Sequence, residues 1–353
     1  MTGPQITVAI PAYNRPEEIG VLLDTVLSQD HGSFDVLIVE DHSPREAEIR
    51  KVVEAKALGH PSRQVRYVSN PKNLGYDGNL RRILELSEGE FTLFMGDDDL
   101  LRPGALTRLA GVLAKYDNLG VILRAYETVD FTSGTRLEIF RYFDGDRFFA
   151  AGPYAIKTFF RRSVSIAGFT IHTQSARAVA TAEFDGTLLY QLHLASSVLA
   201  KRDGYFINDI LTAMRKDDRQ RHFFGSADAE RGKFAASSLT PEHSLNFMRG
   251  MIAVARAAEQ HTGLPVFNDI LADIGNYSYA FLKLHARHRT VFMGYVRGLA
   301  ELGFWRNPYF WAYSGGLLVV PSPVIDRGIR LLKSVLRSTP RLGRVYQGQS
   351  VQP

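Results

Sequence analysis

The chain has 353 residues, 45% of them hydrophobic and 22% charged, which is the composition of a folded protein with one large or two ordinary domains. Its 42 Lys and Arg exceed its 37 Asp and Glu, giving a net charge of +5, and the absence of cysteine excludes disulfides and thiolate metal sites. No secretion-signal pattern opens the sequence, and no stretch reaches the ~18–20 apolar residues of a membrane-spanning helix. The basic residues form no extended patch with interleaved aromatics, so nucleic acid is not an expected partner. We therefore expect a cytoplasmic protein.

Apolar, β-branched runs alternate with helical patterns through the first third of the sequence. Strands are predicted at residues 6–11, 34–39, 65–68 and 91–95, and helices at 16–27, 45–58, 79–86 and 105–113. This alternation is typical of the α/β class with a parallel sheet. Later segments predict an antiparallel pair at 126–131 and 136–142, a strand at 204–207, and an aromatic stretch at 148–160 that we expect mostly in the core.

Polar residues follow each of the first four predicted strands. They are Tyr13, Asn14 and Arg15, then Glu40 and Asp41, then Asn73, then Asp97, Asp98 and Asp99. Ligands of parallel sheets bind outside the carboxyl ends of the strands. Four polar strand ends at one edge therefore predict a binding site there.

Three consecutive carboxylates, Asp97–Asp99, form the most distinctive of these strand ends. Adjacent carboxylates repel one another and are costly to desolvate without a cation. Mg²⁺ and Mn²⁺ prefer oxygen ligands of this kind and often share them with a phosphate. A solvated acidic turn before a helix remains the alternative interpretation.

Four ordered segments resemble the nucleotide-sugar half of family-two glycosyltransferases, which are inverting enzymes of the GT-A fold. They are residues 8–14 (VAIPAYN), 39–43 (VEDHS), 73–75 (NLG) and 89–99 (GEFTLFMGDDD), within about the first 115 residues. The resemblance implies a Rossmann-like, mostly parallel sheet flanked by helices. It also implies a nucleotide-diphosphate sugar donor, a glycan acceptor and a Mn²⁺ or Mg²⁺ cofactor.

The resemblance also implies roles for individual residues. Pro11 and Tyr13 would line the nucleobase pocket, Asp41 would hydrogen-bond the base, and Asn14, Arg15 and Asn73 would belong to the same donor site. Relatives usually have two aspartates where this chain has Glu40-Asp41, and many have an aspartate where it has Gly96. Aligning Gly96 with that aspartate makes Asp98 a metal ligand beside Asp99 and turns Asp97 towards the ribose. A metal site formed by Asp97 and Asp99 stays open as the alternative.

The catalytic base is less clearly marked. Family members usually open a helix with a Glu-Asp pair whose aspartate takes the acceptor proton, but here the corresponding segment reads Leu188-Leu189-Tyr190-Gln191-Leu192-His193. Counting back from the strand at 204–207 places His193 near the usual aspartate, and a neutral histidine is a competent base near pH 7. Asp185, after a predicted turn, is the alternative base, and a partly buried structural role for His193 also remains open.

A dense polar loop at residues 214–225 follows the next strand. In many enzymes of this fold such a loop closes over the diphosphate, which implies that Arg219, Arg221 and His222 neutralise the leaving group and that His222 also binds the metal. A solvated charged loop is the alternative. A Tyr-Gln helix and a His-Phe-Phe-Gly loop further resemble O-antigen sugar transferases of the abequosyltransferase type.

The predicted domain organisation is a GT-A domain at 1–235, a mostly helical C-terminal extension at 236–346 and a disordered tail at 347–353. The GT-A domain divides into a nucleotide-sugar half, 1–115, and an acceptor half, 116–235. The helix at 325–337 is basic and amphipathic, so it either lies on an anionic membrane or packs its apolar face on the core. With the resemblance, this helix suggests a lipid-linked acceptor at the inner face of the plasma membrane. The oligomeric state stays open.

Two other functions compete with sugar transfer. A sugar nucleotidyltransferase is also α/β and metal-dependent, but it requires a Gly-rich phosphate loop with a lysine after the first strand, where this chain reads Pro11-Ala12-Tyr13-Asn14. The other competitor is a binding module that keeps the donor site but has lost catalytic activity. The missing Glu-Asp pair is the one feature that favours it.

Overall fold

The computed structural model describes residues 5–216, 223–235 and 239–336. Its first part alternates strands and helices as the sequence predicts. These elements are β1 (Ile6–Ala12), α1 (Pro16–Leu27), β2 (Phe34–Glu40), α2 (Glu46–Leu58), β3 (Val65–Ser69), α3 (Gly75–Leu86), β4 (Phe91–Phe94), β5 (Leu100–Leu101) and α4 (Ala105–Leu113). The first turn of α3, residues 75–78, was not predicted as helical because two of its residues are glycine.

The following part is more irregular. It contains β6 (Leu119–Asp130), β7 (Thr135–Phe140), β8 (Arg147–Phe149), α5 (Pro153–Phe159), β9 (Phe169–His172), α6 (Thr173–Ala178), α7 (Tyr190–Leu199) and β10 (Asp203–Arg215). The predicted antiparallel pair is confirmed by β6 and β7, although β6 starts earlier than expected, at Leu119. Phe149, Phe159 and Phe160 are buried, so the aromatic stretch does belong mainly to the core.

The described strands form one ten-stranded sheet with the main order β3-β2-β1-β4-β9-β6-β10-β5. Strands β1 to β4 run parallel to one another, and β9 is antiparallel to both β4 and β6. The carboxyl ends of β1, β2, β3 and β4 therefore lie at one edge of the sheet.

Both faces of the sheet are buried, as expected for parallel strands with helices on each side. Strand β2 shows this directly, because its side chains alternate between two cores. Val36 and Ile38 pack in the core beneath α1, α2 and α4, whereas Leu37 and Val39 pack in the core with α3, α7 and the C-terminal helices.

A helical region follows the sheet. Its helices are α8 (Pro241–Thr262), α9 (Phe267–Asn276), α10 (Tyr279–Leu282), α11 (Arg289–Glu301), α12 (Pro308–Val319) and α13 (Ser322–Leu336). Buried residues of α8, α9 and α11 share one core with the sheet, so this region packs on the strand-containing part. Within the residues that the structure describes, every helix is too short or too polar to cross a bilayer.

Candidate functional site

The structure brings the four polar strand ends together, and we call this group the polar rim. It comprises Tyr13, Asn14, Arg15, Asp41, Asn73, Asp97, Asp98 and Asp99. Direct contacts join residues from different strands: Arg15 pairs with Asp97, and the Asn73 amide donates to the Tyr13 hydroxyl at 3.3 Å. The sheet topology thus collects these side chains at one edge, as the sequence pattern predicts.

Asp97 is the most tightly held carboxylate of the rim. It accepts hydrogen bonds from Arg15 Nη1 at 2.6 Å and from the Tyr13 backbone N–H at 3.1 Å. Burial raises the pKa of Asp97 to about 6, even though Arg15 favours its charged form. Burial also works against the charge on Arg15, but Asp97 and Asp98 more than offset it, so the pKa of Arg15 is raised. The pair fixes the turn between β1 and α1 against the end of β4.

Asp98 and Asp99 lie over Gly96. A Cβ atom on Gly96 would stand 2.5 Å from Asp99 Oδ2 and 3.5 Å from Asp98 Oδ1, so any larger side chain there displaces the Asp99 carboxylate. With glycine at this position, the space is left to the Asp99 carboxylate. In the described part of the chain, the protein partner of Asp98 is Arg15 Nη2, at 3.5 Å.

The donor atoms of the triplet suit a hard divalent cation. Burial, and then the neighbouring Asp98 charge, raise the pKa of Asp99 well above its ordinary value, which indicates excess negative charge in a dry environment. A divalent cation relieves that repulsion with the oxygen ligands it prefers. Three metal-binding side chains do not converge at one point among the described residues, and His222, the predicted extra ligand, lies outside them.

Two further arginines stand behind the triplet. The Arg215 backbone N–H donates to Asp99 Oδ1 at 3.2 Å, and this residue ends β10. Arg124 is fully buried in β6, where its Nε donates to the Thr212 hydroxyl, and its charge acts on Asp99. Burial lowers the pKa of Arg124. Sequence reasoning missed Arg124, although an arginine within a run of apolar strand residues is itself a signal.

Asp41 anchors the loop before α3. Its Oδ1 accepts from the Leu74 backbone N–H at 2.9 Å and from Asn70 Nδ2 at 2.8 Å, and its Oδ2 accepts from the Gly75 N–H at 2.9 Å. Burial raises the pKa of Asp41. The residue predicted to bind a nucleobase thus also satisfies free N–H groups at a helix start.

The described part of the predicted closing loop lies against the rim. The Phe223 ring is 5.9 Å from that of Tyr13, and the Arg15 guanidinium lies over it at 5.3 Å. Glu230 is buried and accepts from the backbone N–H groups of Tyr76 and Gly225, each at 2.7 Å. Sequence reasoning missed Phe223 and Glu230 as site residues, because a single glutamate in a polar loop carries no recognisable pattern.

The remaining predicted donor-site residues fall into two groups. Pro11 lies in β1 opposite Val39, and Asn14 has a left-handed backbone (φ 61°) and a buried Oδ1 without a hydrogen-bond partner among the described residues. Arg219, Arg221 and His222 lie outside the described residues. The structure therefore offers one open acceptor on Asn14.

In the described structure both candidate bases have hydrogen-bond partners that do not belong to the polar rim. Asp185 forms a two-point ion pair with Arg81, at 2.5 and 2.9 Å. His193 is buried, and its Nε2 bonds the Val179 carbonyl at 2.8 Å, which requires the proton to be on Nε2. Burial lowers the pKa of His193, so the ring is neutral at pH 7. It lines a cavity of about 380 Å³ that also contains Glu183 and His261.

Asp77, at the start of α3, organises the segment that leads into α7. Its carboxylate accepts from the backbone N–H groups of Thr187, Leu188 and Tyr190, at 2.9, 2.8 and 2.9 Å. Burial raises its pKa to about 6. No local signal revealed this cap, because Asp77 precedes α7 by more than a hundred residues.

Comparisons with known proteins agree with this architecture. Residues 7–171 match the model of the family described as "Glycosyl transferase family 2". The amylovoran biosynthesis glycosyltransferase AmsB of Erwinia amylovora is 27% identical over 114 residues, 32% of this chain and 37% of that protein. The GalNAc(5)-diNAcBac-PP-undecaprenol beta-1,3-glucosyltransferase of Campylobacter jejuni is 28% identical over 107 residues, 30% of this chain and 33% of that protein. The chain thus spans about a third of the length of these curated relatives.

Solved structures extend the similarity over the whole fold. Residues 1–349 of Staphylococcus aureus TarS, in complex with UDP-GlcNAc, superpose with a TM-score of 0.60 at 16% identity, covering 99% of this chain and 98% of that one. The mannosyltransferase PcManGT of Pyrobaculum calidifontis, in complex with GDP-Man and Mn²⁺, gives 0.50 at 13% identity, covering 94% and 81%. At these identities the similarity concerns the fold alone. The predicted GT-A fold with a helical C-terminal region is confirmed, and residues 7–171 are similar to glycosyltransferase family 2.

Proposed function

We propose that the protein transfers a sugar from a nucleotide-diphosphate donor to an acceptor hydroxyl with inversion at the anomeric carbon. The observation that carries this proposal is the polar rim, where Arg15 and the Tyr13 N–H hold Asp97 and the Asp98 carboxylate remains available beside it. The match to the family 2 model includes all residues of the rim. TarS and PcManGT, which share the fold, carry UDP-GlcNAc and GDP-Man in their structures.

In this proposal the rim binds the donor along its length. Pro11, Tyr13 and Asp41 receive the nucleobase, and Asp97 faces the ribose. The open Oδ1 of Asn14 accepts a donor hydroxyl or amide hydrogen. Arg219, Arg221 and His222 neutralise the leaving diphosphate.

Asp98 and Asp99 are the residues that we propose hold Mn²⁺ or Mg²⁺, with His222 as a further ligand. Their clustered carboxylates, of which that of Asp99 is buried, favour a divalent cation, and the PcManGT structure contains Mn²⁺. A cation bound there supplies positive charge to the leaving diphosphate. The alternative pair of metal ligands is Asp97 and Asp99.

We further propose that the acceptor belongs to a bacterial surface polysaccharide of the O-antigen type and is lipid-linked, at the inner face of the plasma membrane. AmsB is named for amylovoran biosynthesis, and the Campylobacter relative for a polyprenyl diphosphate glycan. The abequosyltransferase-like loop and Tyr-Gln helix are consistent with this class.

The acceptor proton passes to His193 or Asp185 while the acceptor oxygen attacks the anomeric carbon and the diphosphate leaves with the bonding electrons. His193 is the better base of the two, because it is neutral and its Nδ1 lone pair has only a long contact, 3.5 Å, with the Ser197 hydroxyl in the described structure, whereas Arg81 engages both oxygens of Asp185. We expect His193→Gln to lower transfer by about 10²-fold or more without weakening nucleotide binding.

Two variants serve as controls for the base. Asp185→Asn and Arg81→Gln break the same ion pair, but only the first removes the carboxylate. Equal activity of these two variants indicates a structural pair, whereas a loss confined to Asp185→Asn assigns the base to Asp185. Full activity of His193→Gln rejects His193.

The competing functions have specific requirements. A nucleotidyltransferase needs a phosphate-binding loop after the first strand, whereas here β1 passes through Tyr13-Asn14-Arg15 directly into α1. A pure binding module binds the donor without cleaving it. Metal-dependent hydrolysis of a nucleotide sugar in the absence of acceptor distinguishes an enzyme from such a module.

The first experiment is a thermal-shift panel of UDP, TDP, GDP and CDP, with and without Mn²⁺. A ligand that binds only the folded state raises the melting temperature by mass action. At a ligand concentration of a hundred times Kd, it adds about 2.7 kcal/mol to the free energy of unfolding. We expect a Mn²⁺-dependent shift with one nucleotide, which identifies the base of the donor. No shift with any of the four would reject the donor site.

A further inference from the structure

The net positive charge of the chain comes from its C-terminal end. Residues 1–282 contain 31 Lys and Arg against 35 Asp and Glu, a net charge of −4, whereas residues 283–353 contain 11 against 2, a net charge of +9. The polar rim belongs entirely to the acidic part. The mildly basic average therefore conceals a chain with two oppositely charged parts. Eight of the 11 Lys and Arg of the basic part lie within residues 283–336, which include the last three helices.

The same region exposes large apolar side chains. Trp305 and Trp311 are 55% and 50% exposed, and Met293 is 62% exposed. The Trp311 indole N–H donates to the Trp305 carbonyl at 2.8 Å, and the Arg306 guanidinium lies over the Trp305 ring at 5.1 Å. Exposed tryptophans beside arginine are typical of surfaces that contact lipid headgroups.

Helix α13 uses one apolar stripe for folding and leaves another exposed. Ile325 and Ile329 pack against the core. Asp326 fixes the helix by accepting from the Tyr279 hydroxyl at 2.9 Å and from Lys283 at 3.1 Å. The helix is therefore anchored to the protein by its inner side.

The second stripe of α13 consists of Val324, Leu331 and Val335, whose spacing of seven and four residues places them on one face. Leu331 and Val335 are 68% and 73% exposed. Arg327 and Arg330 are exposed beside this stripe. An exposed apolar stripe flanked by arginines is the pattern of a helix that lies in a membrane interface.

We infer that helices α11, α12 and α13 form a docking surface for an anionic lipid bilayer. The positive charge complements anionic headgroups, and the tryptophans and the outer stripe of α13 enter the boundary with the acyl chains. A second copy of the chain fits less well, because a symmetric contact brings two positive surfaces together. The inference specifies how the proposed membrane location is achieved, and it rests on surface features outside the donor site.

The experiment is co-sedimentation of the full chain with vesicles of phosphatidylcholine alone or mixed with phosphatidylglycerol, without nucleotide. We expect binding to the mixed vesicles that weakens as salt is added. Leu331→Glu/Val335→Glu and Arg327→Glu/Arg330→Glu should each weaken it by about tenfold or more, since each basic residue near an anionic surface contributes about 1 kcal/mol. Leu58→Glu, an equally drastic change at a site 83% exposed on α2 in the acidic part, should bind as the unmodified chain does.

The inference is overturned if the unmodified chain ignores anionic vesicles at low salt, or if Leu58→Glu weakens binding as strongly as the α13 variants. It is also overturned if sedimentation velocity shows a dimer that Leu331→Glu/Val335→Glu dissociates while vesicle binding is unchanged. The nucleotide thermal shift of the α13 variants is measured in parallel. Because that shift reports only on the donor site, failure of membrane docking and failure of the proposed function are distinguishable.

Discussion

Replacing Asp98 with asparagine should lower donor hydrolysis and sugar transfer by about 10²–10³-fold and abolish the Mn²⁺-dependent thermal shift. Asp98 keeps only the 3.5 Å contact with Arg15 within the described structure, so its charge is not needed to fold the rim. The melting temperature without ligand should therefore remain close to that of the unmodified chain. Nucleotide-sugar hydrolysis and a Mn²⁺ titration of the thermal shift provide the measurements.

Two aspartates serve as references for this variant. Asp97→Asn weakens the bonds to Arg15 and the Tyr13 N–H, so it should lower both stability and activity. Asp24→Asn removes a surface carboxylate that is 55% exposed and paired with Lys56, so it should change neither. A Mn²⁺-dependent shift that survives in Asp98→Asn but disappears in Asp99→Asn would contradict Asp98 as a ligand and favour the Asp97 and Asp99 pair.

Replacing Asp77 with alanine should destabilise the protein by about 2–4 kcal/mol, because three N–H groups at the start of α7, two of them buried, lose their acceptor. One of these groups belongs to Leu188, whose backbone is left-handed (φ 64°). Such a conformation costs of order 1–3 kcal/mol for residues other than glycine, and the hydrogen bonds to the Asp77 carboxylate hold it in place. Urea unfolding monitored by circular dichroism measures the loss, and Leu188→Gly in the Asp77→Ala background should recover part of it.

The pH dependence of the Asp77 effect has a definite sign. Because burial raises its pKa from 3.8 to about 6, the folded protein retains a proton that the unfolded chain has lost between these values. This contribution to the free energy of unfolding is fully present below pH 4 and declines as the pH rises to 6, by about 3 kcal/mol at most. Asp77→Asn lacks the titration, so the unmodified chain should lose stability relative to it across that interval. An unchanged difference between the two would contradict the raised pKa.

The sequence predicted the first half of the fold because its signals are local. A strand whose side chains alternate between two cores, as those of Val36 to Val39 do, is apolar along its whole length. It is therefore visible in the sequence as an apolar run, and turn residues mark its end. The convergence of Arg15 with Asp97 also followed, since parallel strands place their carboxyl ends at one edge. Beginning this strand at Tyr126 was wrong by seven residues, because β6 starts at Leu119 and strand limits depend on pairing partners far along the chain.

The rest of the site depends on contacts that no short segment encodes. Glu230 reaches Tyr76 across 154 positions, and Asp77 reaches Leu188 across 111. Gly96 departs from the metal motif that the resemblance implies, and the structure shows that a side chain there would have to displace the Asp99 carboxylate. The assignments of the base, the donor contacts and the metal ligands stay predictions, to be decided by the variants above.

Glu230 has a further consequence for how tightly a donor can bind. One carboxylate joins the backbone of Tyr76, next to the proposed nucleobase site, to that of Gly225 in the loop whose described part lies against the rim. When the segments around a site are already held together by hydrogen bonds, little of the ligand's binding free energy is lost in ordering the protein. Affinity in this region should therefore depend mainly on the contacts made by the nucleotide and little on conformational rearrangement, so small changes in the base should translate almost fully into differences in Kd.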